Sequence, residues 1–369
     1  MNIDEQLKLI LKFGEGAPFL SFANADGKRW LMPTRHMRTA MNLYQPSGAK
    51  GKLVKSYLPW LYWNPAALRI LRAEGIRLSL SDEIRLLLER TFGEKDLEFA
   101  VFCGTPSVHQ KMTLQVSRGN HIMGYVKVTT REEIFAVFRH ESHILATLHD
   151  QGVRNVPQCL YCGTLDCGAH VFIQTTVKTA HSKVVHRWTE LHSRFLDMLT
   201  LRTQKSLYFG ETDFCHDLDN LESRLHQLDN MEPVKKAIAE VRSRYADKTV
   251  TFAAYQADFT PWNMFEENGN LFVFDWEYAR LSYPPRLDYF HFKIQTAIFE
   301  QHLSAEETYK YLTTEANTLN SLYNDCEFSL KCYLLSIISL YINREKSSIS
   351  NATRERLTFW IKLLKQLEN

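Results

Sequence analysis

The pattern of apolar and polar positions changes texture twice along the chain. Over residues 1–95 it is mixed: PFLSFANADGKRWLMP reads as a hairpin turning near Asp26-Gly27, and helical spacing follows over 35–44, 66–74 and 81–92. From residue 96 it turns to strands. DLEFAVFCG (96–104), KMTLQVS (111–117) and IMGYVKV (122–128) are β-rich runs joined by turn-forming links, which predicts a three-stranded meander. Thr130 then precedes REEIFAVFRHESHILATLHDQG, whose acidic first turn and closing Gly152 are helix start and stop signals. Two more strands follow, VPQCLYCGTL and HVFIQTTV. From about His186 the pattern is mostly helical, broken by TFAAYQADF and NLFVFDW, which read as strands bracketing a loop, with a turn at Asn268-Gly269. This order predicts an α+β chain in two lobes: an N-terminal region (1–95), a small antiparallel sheet with one helix (96–178), and a larger helical part (179–369).

Composition narrows the class. With 369 residues, 45% of them hydrophobic and 23% charged, the chain has the make-up of a soluble globular protein. The start, MNIDEQLKLILKFGEG, lacks a secretory pattern, and the longest apolar run, Cys332 to Ile342, is about half of the ~20 residues that cross a bilayer, so it reads as a buried helix. Seven cysteines without disulfide-framework spacing point to a reducing cytoplasm. Cys159, Cys162 and Cys167 lack a second pair of ligands at zinc spacing, and a β-hairpin accounts for them as small apolar residues. A net charge of +2 gives no reason to expect nucleic acid. Locally, residues 28–55 hold seven Lys/Arg and no acid, with LPWLYW just after. Residues 28–63 read either as a basic helix face beside a buried aromatic cluster, or as a surface resting on a protein partner or peripherally on the anionic inner face of a membrane.

The chemistry-bearing residues lie in ADFTPWNMFEENGNLFVFDWE. Phosphoryl transfer needs a carboxylate to orient or deprotonate the acceptor hydroxyl, oxygen ligands for Mg²⁺, and a cation on the phosphates. In kinases the catalytic Asp precedes a metal-binding Asn by five residues, and a second metal-binding Asp follows on a strand. Asp258 and Asn263 have that spacing, and Asp275 closes the run LFVF. Upstream, Lys127 ends the third strand of the meander and Glu141 lies fourteen residues later in the helix, which permits an ion pair that holds the amine on the phosphates. The link from Gly104 through Thr105 and Ser107 to Gln110 offers backbone N–H groups to cover the phosphates.

Taken together these residues resemble the aminoglycoside phosphotransferase and choline kinase family, small-molecule kinases that share the protein-kinase fold. The likeness runs from about Glu98 to Phe292 and is strongest in ADFTPWNMF and FVFDWEYARLSYPPRLD. It implies a protein-kinase-like two-lobed fold with an extra N-terminal region. Asp258 would be the catalytic base, Asn263 and Asp275 the Mg²⁺ ligands, and Lys127 and Glu141 the ion pair. Asp288 would be a structural residue capping the next helix, and the adenine would lie near Gln174, Thr175 and Thr176. The family commonly has His-Gly before the catalytic Asp; here Gln256 and Ala257 stand there, and Gln256 can support the loop by hydrogen bonding.

The function this implies is an ATP- or GTP- and Mg²⁺-dependent phosphotransferase acting on a hydroxyl of a small molecule, a sugar or glycan component first. The rival from another class is a catalytically inactive pseudokinase that binds nucleotide or serves as a scaffold. A cationic acceptor would need acids in the helical region, where ETDFCHDLDNLE (211–222) supplies them, whereas the basic N-terminal region points to an anionic or glycan-bearing acceptor.

Overall fold

The computed structural model describes residues 2–367 except 47, 108, 109, 247, 315–322, 324 and 346–348. The chain divides into two compact units, Met1–Ala146 with Val156–Lys183, and Thr147–Asn155 with Val184–Asn369.

The strands of the first unit are β1 (Leu11–Ala23), β2 (Arg29–Pro33), β3 (Glu74–Leu80), β4 (Glu98–Phe102), β5 (Met112–Arg118), β6 (His121–Thr129), β7 (Cys159–Thr164) and β8 (His170–Thr175). They form one antiparallel sheet in the order β3-β1-β2-β4-β5-β6-β8-β7. The predicted hairpin is β1–β2, closed by the Asn24 side chain, whose Oδ1 accepts from the N–H groups of Asp26 (3.1 Å) and Lys28 (2.9 Å). The predicted meander is β4–β5–β6. Residues 1–95 supply β1–β3 to this same sheet, because β2 pairs with β4 through Trp30↔Phe102 and Leu31↔Val101. Trp30 fixes that junction: its ring lies 5.2 Å from Phe102, 5.8 Å from Phe22 and 4.9 Å, edge-on, from Tyr44.

Helices of this unit are α1 (Ile3–Ile10), α2 (Met37–Ala40), α3 (Ala49–Leu61), α4 (Pro65–Leu71), α5 (Asp82–Phe92) and, up to Ala146, α6 (Glu132–Asp150). One face of the sheet buries Leu31, Val101, Leu114, Val126 and Ile173 in a cluster with residues of α1 and α5. The other packs Trp30, Met32 and Ala100 with Met37, Tyr44 and Leu58. The aromatic run after the basic segment is not a buried cluster. Leu58 is buried, but Trp60 is 60% exposed, because α3 turns only a narrow stripe inward, and Trp63, in the turn after it, is 69% exposed.

The second unit contains α7 (Glu190–Thr203), β9 (Lys205–Tyr208), α8 (Asp213–Ser223), α9 (Glu232–Tyr245), β10 (Thr249–Tyr255), β11 (Met264–Glu267), β12 (Asn270–Val273), β13 (Arg280–Tyr283), α10 (Asp288–Phe299), α11 (Ala305–Thr314), α12 (Cys326–Arg344) and α13 (Asn351–Gln366). The strands form a β13-β10-β9 sheet and the β11–β12 hairpin. The run expected as a buried helix is the middle of α12, where Cys332, Tyr333, Leu334 and Leu335 are all fully buried. Trp276 is fully buried as well; its Nε1 donates to the Val273 carbonyl at 3.0 Å and its ring lies 6.5 Å from that of Phe195. No helix among the described residues is long and apolar enough to cross a membrane.

The β2–β4 junction generates a test. Removing residues 1–95 exposes the backbone edge of β4 and uncovers Ala100 and Phe102, a template for edge-to-edge association. The fragment 96–369 is therefore expected to aggregate under conditions that keep the full chain monomeric; a monomeric fragment with a cooperative melt, seen by sedimentation and calorimetry, contradicts the junction's structural role.

Candidate functional site

In the second unit the loop after β10 is set by its backbone. Ala257 has φ 69°, the left-handed region that costs a residue with a Cβ roughly 1–2 kcal/mol. Asp288 holds it there: its Oδ2 accepts from Gln256 N–H at 3.0 Å and its Oδ1 from Ala257 N–H at 3.1 Å. Among the described residues Asp288 makes these loop contacts in place of the helix cap expected of it, since it is the first residue of α10 and its carboxylate is turned to β10. Burial pushes its carboxyl up to about 7, with the negative charge of Asp258 adding to the effect and the two N–H bonds opposing it.

Gln256 completes the loop and is fully buried. Its Oε1 accepts from Asp258 N–H at 2.8 Å, while Nε2 donates to the carbonyls of Asp275 at 2.7 Å and Phe274 at 3.2 Å. One amide thus ties the first predicted acid to the second, the supporting role expected of it in place of a histidine.

Asp258 is 31% exposed at its side chain. Its Oδ2 accepts from Asn263 Nδ2 at 2.9 Å, and the same amide nitrogen reaches the Asp258 carbonyl at 3.0 Å. Asn263 therefore has its Oδ1 as the remaining side-chain ligand atom. The β11–β12 pairing Met264↔Val273, continued by Phe274 N–H to Asn263 O at 3.0 Å, brings Asn263 beside the segment leading to Asp275, itself at φ 64°. The hairpin thus returns the chain to the level of Asn263.

His291, absent from the sequence reading, is buried with Nε2 3.3 Å from Asp258 Oδ1. A carboxylate oxygen accepts, so Nε2 carries the proton and Nδ1 faces the Tyr333 hydroxyl at 3.5 Å. The signal for it was its position three residues after Asp288, on the same face of one helix.

In the first unit Lys127 Nζ lies 2.7 Å from Glu141 Oε2, both side chains buried, and 5.6 Å from the Phe172 ring centre. The predicted pair forms because β6 ends beside α6. Gly104 has φ 80°, and a Cβ there would meet the Lys111 carbonyl at 2.3 Å, so this bend in the β4–β5 link requires glycine. Thr105 and Ser107 are exposed on that link, and residues 108 and 109 of the expected phosphate cover lie outside the described residues. Gln174, on β8, is buried with no hydrogen-bond partner for Oε1 among the described residues. Thr175 and Thr176 are engaged locally, their hydroxyls accepting from Gln158 N–H and Lys178 N–H.

Four of the five acids of 211–222 have structural partners. Asp213 accepts from the N–H groups of Leu281 and Ser282, Asp217 pairs with Arg280, and Asp219 and Glu222 pair with Arg242.

No family model matches the sequence, and no curated protein does. Solved structures match by shape. The aminoglycoside phosphotransferase APH(4)-Ia, as a ligand-free thermostable mutant, is 12% identical over 77% of this chain and 97% of its own, with a TM-score of 0.50. Another mutant of it, in a ternary complex with AMP-PNP and hygromycin B, is 15% identical over 78% of this chain and 98% of its own, again with a TM-score of 0.50. A fructosamine-3-kinase from Haemophilus somnus 129PT matches at 14% identity over 78% of this chain and 97% of its own, TM-score 0.46. The fold is that of the protein-kinase-like phosphotransferases, as the sequence resemblance implied.

Gln256→Ala strands the part-buried Asp258 N–H and two carbonyls, each costing up to about 1–3 kcal/mol where water does not replace the amide. The variant is expected to lower the denaturation midpoint and speed amide exchange at Asp258, whereas Gln256→His recovers part of both. Unchanged exchange in the alanine variant contradicts the amide's bridging role.

Proposed function

We propose that the chain is an ATP- or GTP-dependent phosphotransferase that uses Mg²⁺ and transfers a phosphoryl group to a hydroxyl of a small molecule, a sugar or glycan component by first choice. The observation that carries this reading is the hydrogen-bonded set Asp258, Asn263, Gln256 and Asp275, with Asp258 left partly open on a strained and braced loop. In this role Asp258 accepts the proton of the attacking hydroxyl, His291 holds the orientation of its carboxylate, and the Lys127 amine, braced by Glu141, meets the phosphates. The donor set fits Mg²⁺, a hard cation that takes oxygen ligands: the Oδ1 of Asn263, whose amide nitrogen is engaged by Asp258, and the carboxylate of Asp275. When bound, the ion neutralises charge on the transferring group. Gln174 Oε1, a buried acceptor, supports nucleotide binding along β8.

The exposed side of α3 supports a peripheral role at an anionic membrane surface on the cytoplasmic side. Leu53, Tyr57, Trp60 and Trp63 are each more than half exposed, alongside Lys50 and Lys52, and Arg38 lies 5.0 Å over the Trp60 ring. Interfacial aromatics with basic neighbours suit an anionic headgroup layer.

Two measurements test these readings. Asp258→Asn is expected to cut transfer of labelled γ-phosphate to its acceptor by roughly 10²–10⁴-fold while Mg·ATP still raises the melting temperature. An undiminished rate removes Asp258 from its role, and no stabilisation by ATP or GTP with or without Mg²⁺ supports the scaffold reading instead. For the surface, the full chain is expected to sediment with phosphatidylserine-containing vesicles at low salt and Trp60→Ala/Trp63→Ala to lose most of that binding; equal binding to neutral vesicles argues against the reading.

A further inference from the structure

A cavity of about 180 Å³ opens within the second unit, with Asp258 and His291 in its wall. This is below the ~300–1,000 Å³ of sites for drug-sized ligands, and suits a compound of monosaccharide size. Its charge is the informative feature. Asp258 is the sole acid among the described residues that line it, and two guanidiniums, those of Arg344 and Arg356, line it too. Arg344, the last residue of α12, lies 3.9 Å over the Tyr278 ring, and its Nε is buried with no hydrogen-bond partner among the described residues. Arg356, on α13, donates from Nη1 to the Tyr341 hydroxyl at 2.9 Å and lies 5.4 Å over the Phe299 ring.

Among the described residues neither guanidinium has a carboxylate within 4.0 Å. Elsewhere in the unit Arg242, Arg244, Arg280 and Arg286 each do. Stacking on aromatic faces fixes two planar forks at the cavity wall with no carboxylate paired directly to either, although Asp258 attracts Arg344 from the same wall. A ligand oxyanion supplies what is missing, through the bidentate geometry that guanidinium offers to phosphate and carboxylate. Trp262 and Phe299, 38% and 43% exposed and edge-to-face at 5.9 Å, add ring surface for the apolar face of a sugar.

We propose that the acceptor is a small hydroxyl compound bearing an oxyanion, a sugar phosphate or a sugar acid, whose anionic group is held by Arg344 and Arg356 while its hydroxyl is presented to Asp258. The proposal rests on the phosphotransferase reading for the role of Asp258. The hydroxyl oxygen forms a bond to the γ-phosphorus, the bond from that phosphorus to the nucleoside diphosphate breaks, and the hydroxyl proton passes to the Asp258 carboxylate. The acceptor's oxyanion is unchanged, so the product is a phosphate monoester with two anionic groups. A cationic acceptor would meet two guanidiniums and one carboxylate, a net repulsion.

Calorimetric titration of the full chain, with Mg²⁺ and AMP-PNP, tests this without requiring turnover. The panel comprises neutral monosaccharides, their phosphates, the matching uronic acids and amino sugars. At least one phosphate or uronate is expected to bind tenfold or more tightly than its neutral parent, and the two anionic arms tell phosphate from carboxylate. Arg356→Gln, at an exposed position that tolerates substitution, is expected to weaken that compound by roughly 10- to 100-fold and its neutral parent little. Arg356→Lys, which keeps the charge but not the fork, is expected to fall between. Arg344→Gln is expected to act like Arg356→Gln, with melting checked first because the side chain is largely enclosed. Neutral or amino sugars binding as well as the anions, no binding by any anionic member, or an Arg356→Gln variant that keeps the preference would each overturn the proposal. Anion-selective binding without phosphate transfer would leave the acceptor class standing and sink the phosphotransferase reading.

Discussion

One buried carboxylate sets the geometry on which the candidate site depends. Asp288 receives the N–H groups of Gln256 and Ala257, bonds that offset the left-handed backbone of Ala257. That bend ends β10 and turns Asp258 out of the strand direction. The side chain of Gln256 then fastens the outer end of the loop to Asp275, so backbone strain at one residue is distributed over hydrogen bonds from α10 and from the segment after β12. A strained residue held by its surroundings is a recurrent mark of a functional loop, and here the strain and its supports are both identified.

The ion pair of the first unit obeys a different constraint. Lys127 and Glu141 are both taken out of water, and the attraction of such a pair is largely offset by the cost of desolvating two charges. A strand-end position filled by an aliphatic residue would satisfy the sheet equally well. The pair therefore fixes the position of the amine more than it adds to stability.

Much of this was legible in the sequence, and the limits follow from physics. Asp258, Asn263 and Asp275 could be read because a hairpin and a short loop make their geometry nearly local. Lys127 and Glu141 could be read because strand and helix are adjacent in the chain. Gln256 was legible as a loop support because its amide can both donate and accept. Asp288 was only half legible: its presence was expected, but whether a carboxylate at a helix start turns to its own helix or to a neighbouring strand depends on packing. The hairpin of residues 1–95 was legible, but its union with the next sheet was not, since the pairing of β2 with β4 joins residues about seventy apart through Trp30 and Phe102. The exposure of Trp60 and Trp63 also runs against composition, which favours burying such residues.

The acceptor wall shows where motif reading ends. Arg344 and Arg356 lie on α12 and α13, beyond Phe292, where the sequence motifs of the resemblance end. A shared fold fixes how the loop, the hairpin and the first turn of α10 meet, and it leaves the charge of the helices that close the cavity free to vary. In this chain four of the five acids of 211–222, which a cationic acceptor would have required, are engaged by backbone N–H groups and by Arg242 and Arg280. The arginines left facing the cavity therefore determine its sign. An architecture that elsewhere carries an aminoglycoside here presents positive charge beside the carboxylate that would take the proton.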